Sequence, residues 1–121
     1  MKWLDVPEEH DFQAAEDYLS LVMSPTDAAY LRGELAEART LTHRKAKDIL
    51  RASGLALLPA DSKHVAADLA KVKAGQALSP VLLVRLLRKG RTQPLIIADG
   101  YHRVCASYWL DENEDIPAVL I

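Results

Sequence analysis

Ile96-Ile97-Ala98-Asp99-Gly100-Tyr101-His102-Arg103-Val104-Cys105-Ala106 is the stretch on which the reading of this chain turns. A short apolar run breaks at Asp-Gly, and the pattern restarts as a helix with His102 and Arg103 in its first turn. A helix start exposes backbone N–H groups at the positive end of its dipole, and Gly100 lets the backbone come close to a ligand. His102 and Arg103 add side-chain donors, and the guest that suits this set is phosphate.

Outward from that junction the pattern alternates. Leu95 to Ala98 is expected to pair back against a branched apolar run that follows Pro80, Val81 to Leu87, across a Gly-containing turn at Arg88 to Gln93. The helix from about Tyr101 to Leu110 leads through an acidic loop, Asp111 to Asp115, into a closing strand at Ala118 to Ile121. Upstream, Val65, Leu69 and Val72 mark a helix that ends near Gly75, with Ser62 as its N-cap.

The first half reads as helices. Phe12, Ala15, Leu19 and Val22 share a helical face. Ser24-Pro25-Thr26-Asp27 is a fresh start, with Ser24 as N-cap and Pro25 at the first helical position, and Ala28, Leu31, Leu35 and Ala38 form its inward stripe. Thr42 is expected to cap a third helix with Ala46, Ile49 and Leu50 inward and Gly54 as its left-handed stop. These readings make residues 1–121 a single α+β domain, an N-terminal three-helix layer (1–55) packed on a small mixed sheet (56–121).

At 121 residues and 50% apolar the chain can bury one core and is too short for two ordinary domains. A net charge of -2 gives no global reason to expect nucleic acid or an anionic membrane as partner. The charge is uneven: Asp5, Glu8, Glu9, Asp11, Glu16, Asp17, Asp27, Glu34 and Glu37 precede a basic segment of Arg39, Arg44, Lys45, Lys47 and Arg51. Arg85, Arg88, Lys89 and Arg91 form a second basic cluster. A single Cys excludes an internal disulfide, and neither a signal peptide nor a membrane span is expected, so the cytoplasm is the default location. His10, His43, His64 and His102 have no common metal-ligand spacing, so no metal site is predicted.

From about Leu57 to Ile121 the order of elements and the motif Gly100-Tyr101-His102-Arg103 resemble the ParB/sulfiredoxin superfamily. The matching pieces are Leu69 to Gly75, Ser79-Pro80-Val81-Leu82-Leu83-Val84, Leu95 to Ala98, the motif itself with Ala106, and Ile116-Pro117-Ala118-Val119. Sulfiredoxins read Gly-Cys-His-Arg, with the Cys as nucleophile, and this chain has Tyr101 there. A phenol cannot form the sulfur intermediate, so sulfiredoxin activity is not expected. ParB proteins commonly read Gly-Glu-Arg-Arg on the triphosphate of CTP, and other members bind ATP and phosphorylate small molecules. The resemblance therefore implies nucleotide binding, with ATP or CTP as ligand and phosphotransfer or nucleotide hydrolysis as the chemistry.

On that reading Gly100, Tyr101, His102 and Arg103 hold the phosphates, with Lys63 joining them where sulfiredoxins carry a Lys. Asp99 and His102 are the catalytic candidates, and Asp99 is also the candidate contact for a magnesium ion accompanying the nucleotide. Changing Arg103 to Ala is expected to weaken binding severely and leave the fold intact. The alternatives are a non-catalytic interaction module with a degenerate pocket, docking a protein partner or a second copy through the N-terminal helices, and a DNA-binding or ParB-like nuclease accessory protein. Nucleic acid is the less favoured partner, because Arg44, Lys47 and Arg51 recur at the spacing of a solvated helix face.

Overall fold

The computed structural model describes residues 1–38, 40–88, 91, 92 and 94–121. In chain order the elements are α1 (Glu9–Val22), α2 (Pro25–Glu37), β1 (Thr42–Lys45), α3 (Ala46–Ser53), α4 (Lys63–Lys73), β2 (Val81–Val84), β3 (Leu87–Arg88), β4 (Arg91–Thr92), β5 (Ile96–Asp99), α5 (Tyr101–Leu110) and β6 (Asp115–Leu120). Helices and a mixed four-stranded sheet make the chain α+β. The sheet order is β1-β6-β2-β5, with β2 and β6 parallel and the outer pairs antiparallel. β3 and β4 form a short separate ladder, and Lys89, Gly90 and Gln93 of the expected turn lie outside the described residues.

The two central strands are buried on both faces, which is why β2 reads as an unbroken apolar run. Their side chains sort by the strand period of two. Val81 and Leu83 pack with Ile49, Val65, Val104 and Cys105 of the α3, α4 and α5 layer. Leu82 and Val84 pack with Ala15, Leu19, Ala28 and Leu35 of α1 and α2.

The expected three-helix N-terminal layer is thus corrected to two helices on one face and three on the other. Thr42 does not cap a helix: Thr42–Lys45 is an edge strand, with Thr42 opposite Ala118 and Lys45 opposite Asp115. The division at residue 55 also falls away, since β1 from the first half completes the sheet of the second. The reason is tertiary. β1 carries no alternating apolar face, and α3 begins where Ala46 and Lys47 donate their N–H groups to the carbonyls of Glu114 (3.0 Å) and Glu112 (3.0 Å), so the acidic loop replaces a side-chain cap. Of the expected basic helix face, Arg44 therefore lies on β1, Lys47 and Arg51 remain on α3, and Arg39 is outside the described residues.

Other local signals hold. The Ser24 hydroxyl accepts from the Asp27 N–H at 3.1 Å with Pro25 at the first position of α2, and Gly54 ends α3 in the left-handed conformation. α1 is rotated from the expected stripe, burying Asp11, Ala15 and Leu19 and leaving Val22 48% exposed. Arg32 of α2 ties the helix pair together through Glu16 (3.0 Å), Glu9 (3.1 Å) and Gln13 (2.7 Å). Among the described residues no helix is long and apolar enough to cross a membrane.

Candidate functional site

The β5–α5 junction forms as the sequence implies. A register shift in the β2–β5 pairing leaves Ala98 as an extra residue and sets Asp99 opposite Leu82. Gly100 is the N-cap of α5 with φ 109°, a conformation that disfavours any residue with a Cβ. A Cβ there would lie 2.5 Å from Cγ1 of Val81, so the close packing of helix start on strand also demands glycine. Among the described residues no side chain caps α5, and its first turn carries no acid, so its leading N–H groups remain available to an anion.

The helix start opens into a cleft of about 230 Å³ between α4 and α5, lined by His64, Ala67, Asp68, Lys71, Asp99, Gly100, His102 and Arg103. The rings of His64 and His102 are 4.8 Å apart between centroids. Burial, and then His64, hold the His102 imidazole below its ordinary pKa, which favours the neutral ring. Burial raises Asp68 against the pull of Lys71. The cleft thus sets Lys71 and Arg103 against two carboxyls that burial pushes toward their neutral forms.

Arg103 is the centre of the arrangement and is mostly internal, with its side chain 15% exposed. Its Nη2 donates to Asp99 Oδ2 at 3.0 Å and to the Pro80 carbonyl at 3.3 Å, and its Nη1 lies 3.8 Å from Oδ1 of Asp11. Nε is buried without a hydrogen-bond partner among the described residues. Asp11, 1% exposed, also accepts the Glu8 N–H at 2.8 Å in a capping box at the start of α1. Arg103 therefore joins α5 to α1 and β5, and its removal would leave the buried Asp11 and the partly buried Asp99 without this cation, which argues against the expectation that the fold is spared.

Burial pushes the Asp99 carboxyl up to about 6, opposed by Arg103 and reinforced by Asp11. A carboxyl raised in the folded state holds its proton more tightly when folded, so its contribution to stability is full below its ordinary 3.8 and is lost as the pH rises to about 6. Asp99→Asn should remove this dependence. Melting curves of both proteins across that range are expected to show the variant gaining on wild type as the pH rises; a constant difference would refute the raised carboxyl.

The other expected site residues divide. His102 lines the cleft. Tyr101 points elsewhere: its hydroxyl donates to the Ala56 carbonyl, so it pins the helix start to the segment after α3. Lys63 is the exposed first residue of α4 and does not line the cleft. Ser62 stands at the N-cap of α4, yet its hydroxyl is buried and makes no cap hydrogen bond among the described residues. The lone Cys105 is fully buried, as a small apolar residue would be.

His64, Asp68 and Lys71 were missed, although their spacing of four and three places them on one polar flank of α4, beside the apolar stripe. Asp11 gave no signal, since an acid in a first helical turn reads as an ordinary dipole partner. Glu8, His10 and Asp11 bring potential ligand atoms within 4.8 Å of one another, but Asp11 is already committed to the Glu8 N–H and faces Arg103. Elsewhere, Arg44 and Arg85 from the two basic clusters line a common cleft of about 200 Å³ with Asp48 and Leu120.

Comparison with family models, with curated proteins and with solved structures gives no match.

Proposed function

We propose that this chain binds the phosphates of a nucleoside triphosphate in the cleft between α4 and α5. The observation that carries the reading is the uncapped start of α5 opening onto Lys71, His102 and Arg103 from one cleft. The resemblance to the ParB/sulfiredoxin superfamily supports it, because Gly100, His102 and Arg103 stand where that motif meets phosphate. ATP and CTP are the ligands it favours. A magnesium ion carried by the triphosphate suits the two carboxyls on the cleft walls, Asp68 and Asp99. Phosphotransfer or nucleotide hydrolysis is the finer form of the proposal, with Asp99 and His102 as its acid–base candidates: burial raises the Asp99 carboxyl to about 6, and burial with His64 keeps the His102 ring neutral, the form that accepts a proton. Placement in the cytoplasm accords with a nucleotide ligand.

The test avoids Arg103, whose loss perturbs the fold. Calorimetric titration of inorganic triphosphate, ATP and CTP, with and without magnesium, should show binding that falls about tenfold in Lys71→Ala, the order expected for a charge-assisted hydrogen bond. Lys71 has a 55% exposed side chain and is safe to truncate. His102→Ala should also weaken binding. Equal affinity in wild type and both variants would sink the proposal.

A second reading, an interaction module with a degenerate pocket, draws on the commitment of Tyr101 to Ala56 and of Arg103 to Asp99 and Pro80. Its partner would be a protein or a second copy docking on α1 and α2. Absence of any anion binding by wild type would favour it. The DNA-binding or nuclease alternative draws only on the exposed Arg44, Lys45, Lys47 and Arg51, and steep salt dependence of binding would be its signature.

A further inference from the structure

On the other side of Gly100 lies a second cleft, of about 380 Å³ and largely apolar, lined by Ala14 and Tyr18 of α1, Leu55, Ile97 and Ala98 of β5, and Tyr101. It shares Asp99, Gly100 and His102 with the polar cleft, so the two meet at the start of α5. Neither α1 nor Leu55 belongs to the segment that carries the family resemblance, and Tyr18 had no role in the sequence reading beyond its place on α1.

We infer that this cleft is the nucleoside subsite, in which the ring of Tyr18 stacks on the base of a nucleotide whose phosphates lie at the start of α5. The inference rests on the phosphate reading above. Three observations commit the cleft to a planar heteroaromatic group attached to an anion. It shares three wall residues at the start of α5 with the polar cleft, and ligand sites typically enclose about 300–1,000 Å³, a range that the polar cleft alone does not reach. Its surface pairs an apolar floor with an aromatic ring that is 42% exposed, the situation in which a tyrosine offers a face rather than filling a core. Its floor is β5, which ends the sheet and has no strand on its outer side among the described residues.

The orientation of α1 suits this role, since it buries Asp11 near Arg103 and places Tyr18 on the cleft wall two turns further along. One helix thereby touches both halves of the ligand site, holding Arg103 at one end and flanking the base at the other.

The experiment compares ATP, CTP and inorganic triphosphate on wild type, Tyr18→Ala and Tyr18→Phe, with melting midpoints to verify folding. Wild type is expected to bind at least one nucleoside triphosphate more tightly than inorganic triphosphate. Tyr18→Ala should lose about tenfold of that affinity, in line with base–aromatic stacking, while inorganic triphosphate is unaffected and Tyr18→Phe stays near wild type. Nucleotide affinity unchanged in Tyr18→Ala, or equal affinity of wild type for nucleotide and inorganic triphosphate, overturns the subsite and leaves the phosphate reading standing. No binding of any of the three to wild type overturns both. A dimer that Tyr18→Ala dissociates, with nucleotide affinity unchanged, would assign the cleft to a second copy instead and overturn the subsite.

Discussion

Arg103→Ala is expected to destabilise the protein by about 3–5 kcal/mol, the cost of breaking a buried ion pair by removing one partner. Arg103 stands between Asp11, 1% exposed, and Asp99, whose side chain is 16% exposed; it donates to Asp99 at 3.0 Å and lies 3.8 Å from Asp11, which His10 also approaches at 3.5 Å. Its loss also removes the donor to the Pro80 carbonyl ahead of β2. Chemical denaturation should show the midpoint falling sharply. Converting the carboxyls with the cation, as Arg103→Met, Asp11→Asn and Asp99→Asn together, should recover much of the loss, because a buried charged group is costly chiefly when it is left unpaired. A single variant within about 1 kcal/mol of wild type would show that the pairing is too solvated to matter. A loss of ligand binding in Arg103→Ala is informative only beside this stability measurement, and the exposed Lys71 is the cleaner probe of the proposed phosphate site.

Gly100→Ala is expected to cost about 2–5 kcal/mol, from two independent sources. A Cβ at φ 109° is strained by about 1–2 kcal/mol, and its insertion against a packed core adds about 1–3 kcal/mol. The obstacle is Val81, fully buried on a central strand, whose Cγ1 would be 2.5 Å and Cβ 2.8 Å away, while Arg103 Nη2 would be 3.0 Å away. A double-mutant cycle separates the sources. Val81→Ala removes Cγ1, so the double variant should be less destabilised than the sum of the singles, and the strain of the backbone should remain. Strict additivity would mean that the helix start moves away from β2 at no cost, contrary to the packing described.

Much of this protein was legible locally. The cap at Ser24-Pro25, the stop at Gly54 and the Asp99-Gly100 break each depend on the conformational preferences of a few adjacent residues and form as read, whereas the apolar run expected as a strand over Val81 to Leu87 is one only over Val81–Val84, with Leu87 in the separate β3. The N-cap glycine and the site's His102 and Arg103 were legible for the same reason. The polar flank of α4 was present in the spacing of His64, Asp68 and Lys71, yet nothing in the sequence shows which flank of a helix faces a cleft.

What only the tertiary structure decided involves partners far apart in the chain. Thr42–Lys45 is a strand because β6 offers an open edge, and its own residues hold no strand pattern. Asp11 is buried where Arg103 comes within 3.8 Å of it from α5, and Tyr18 shares a cleft with Gly100 because α1 packs on β5. Local sequence determined the caps, stops and breaks that a few neighbouring residues encode, since backbone preference is a property of neighbouring residues, while β1 and the start of α3 were set by β6 and the acidic loop. Which polar side chains are desolvated, and against whom, was set by the folded packing, because the compensation for burying a charge comes from a residue that the local sequence does not contain.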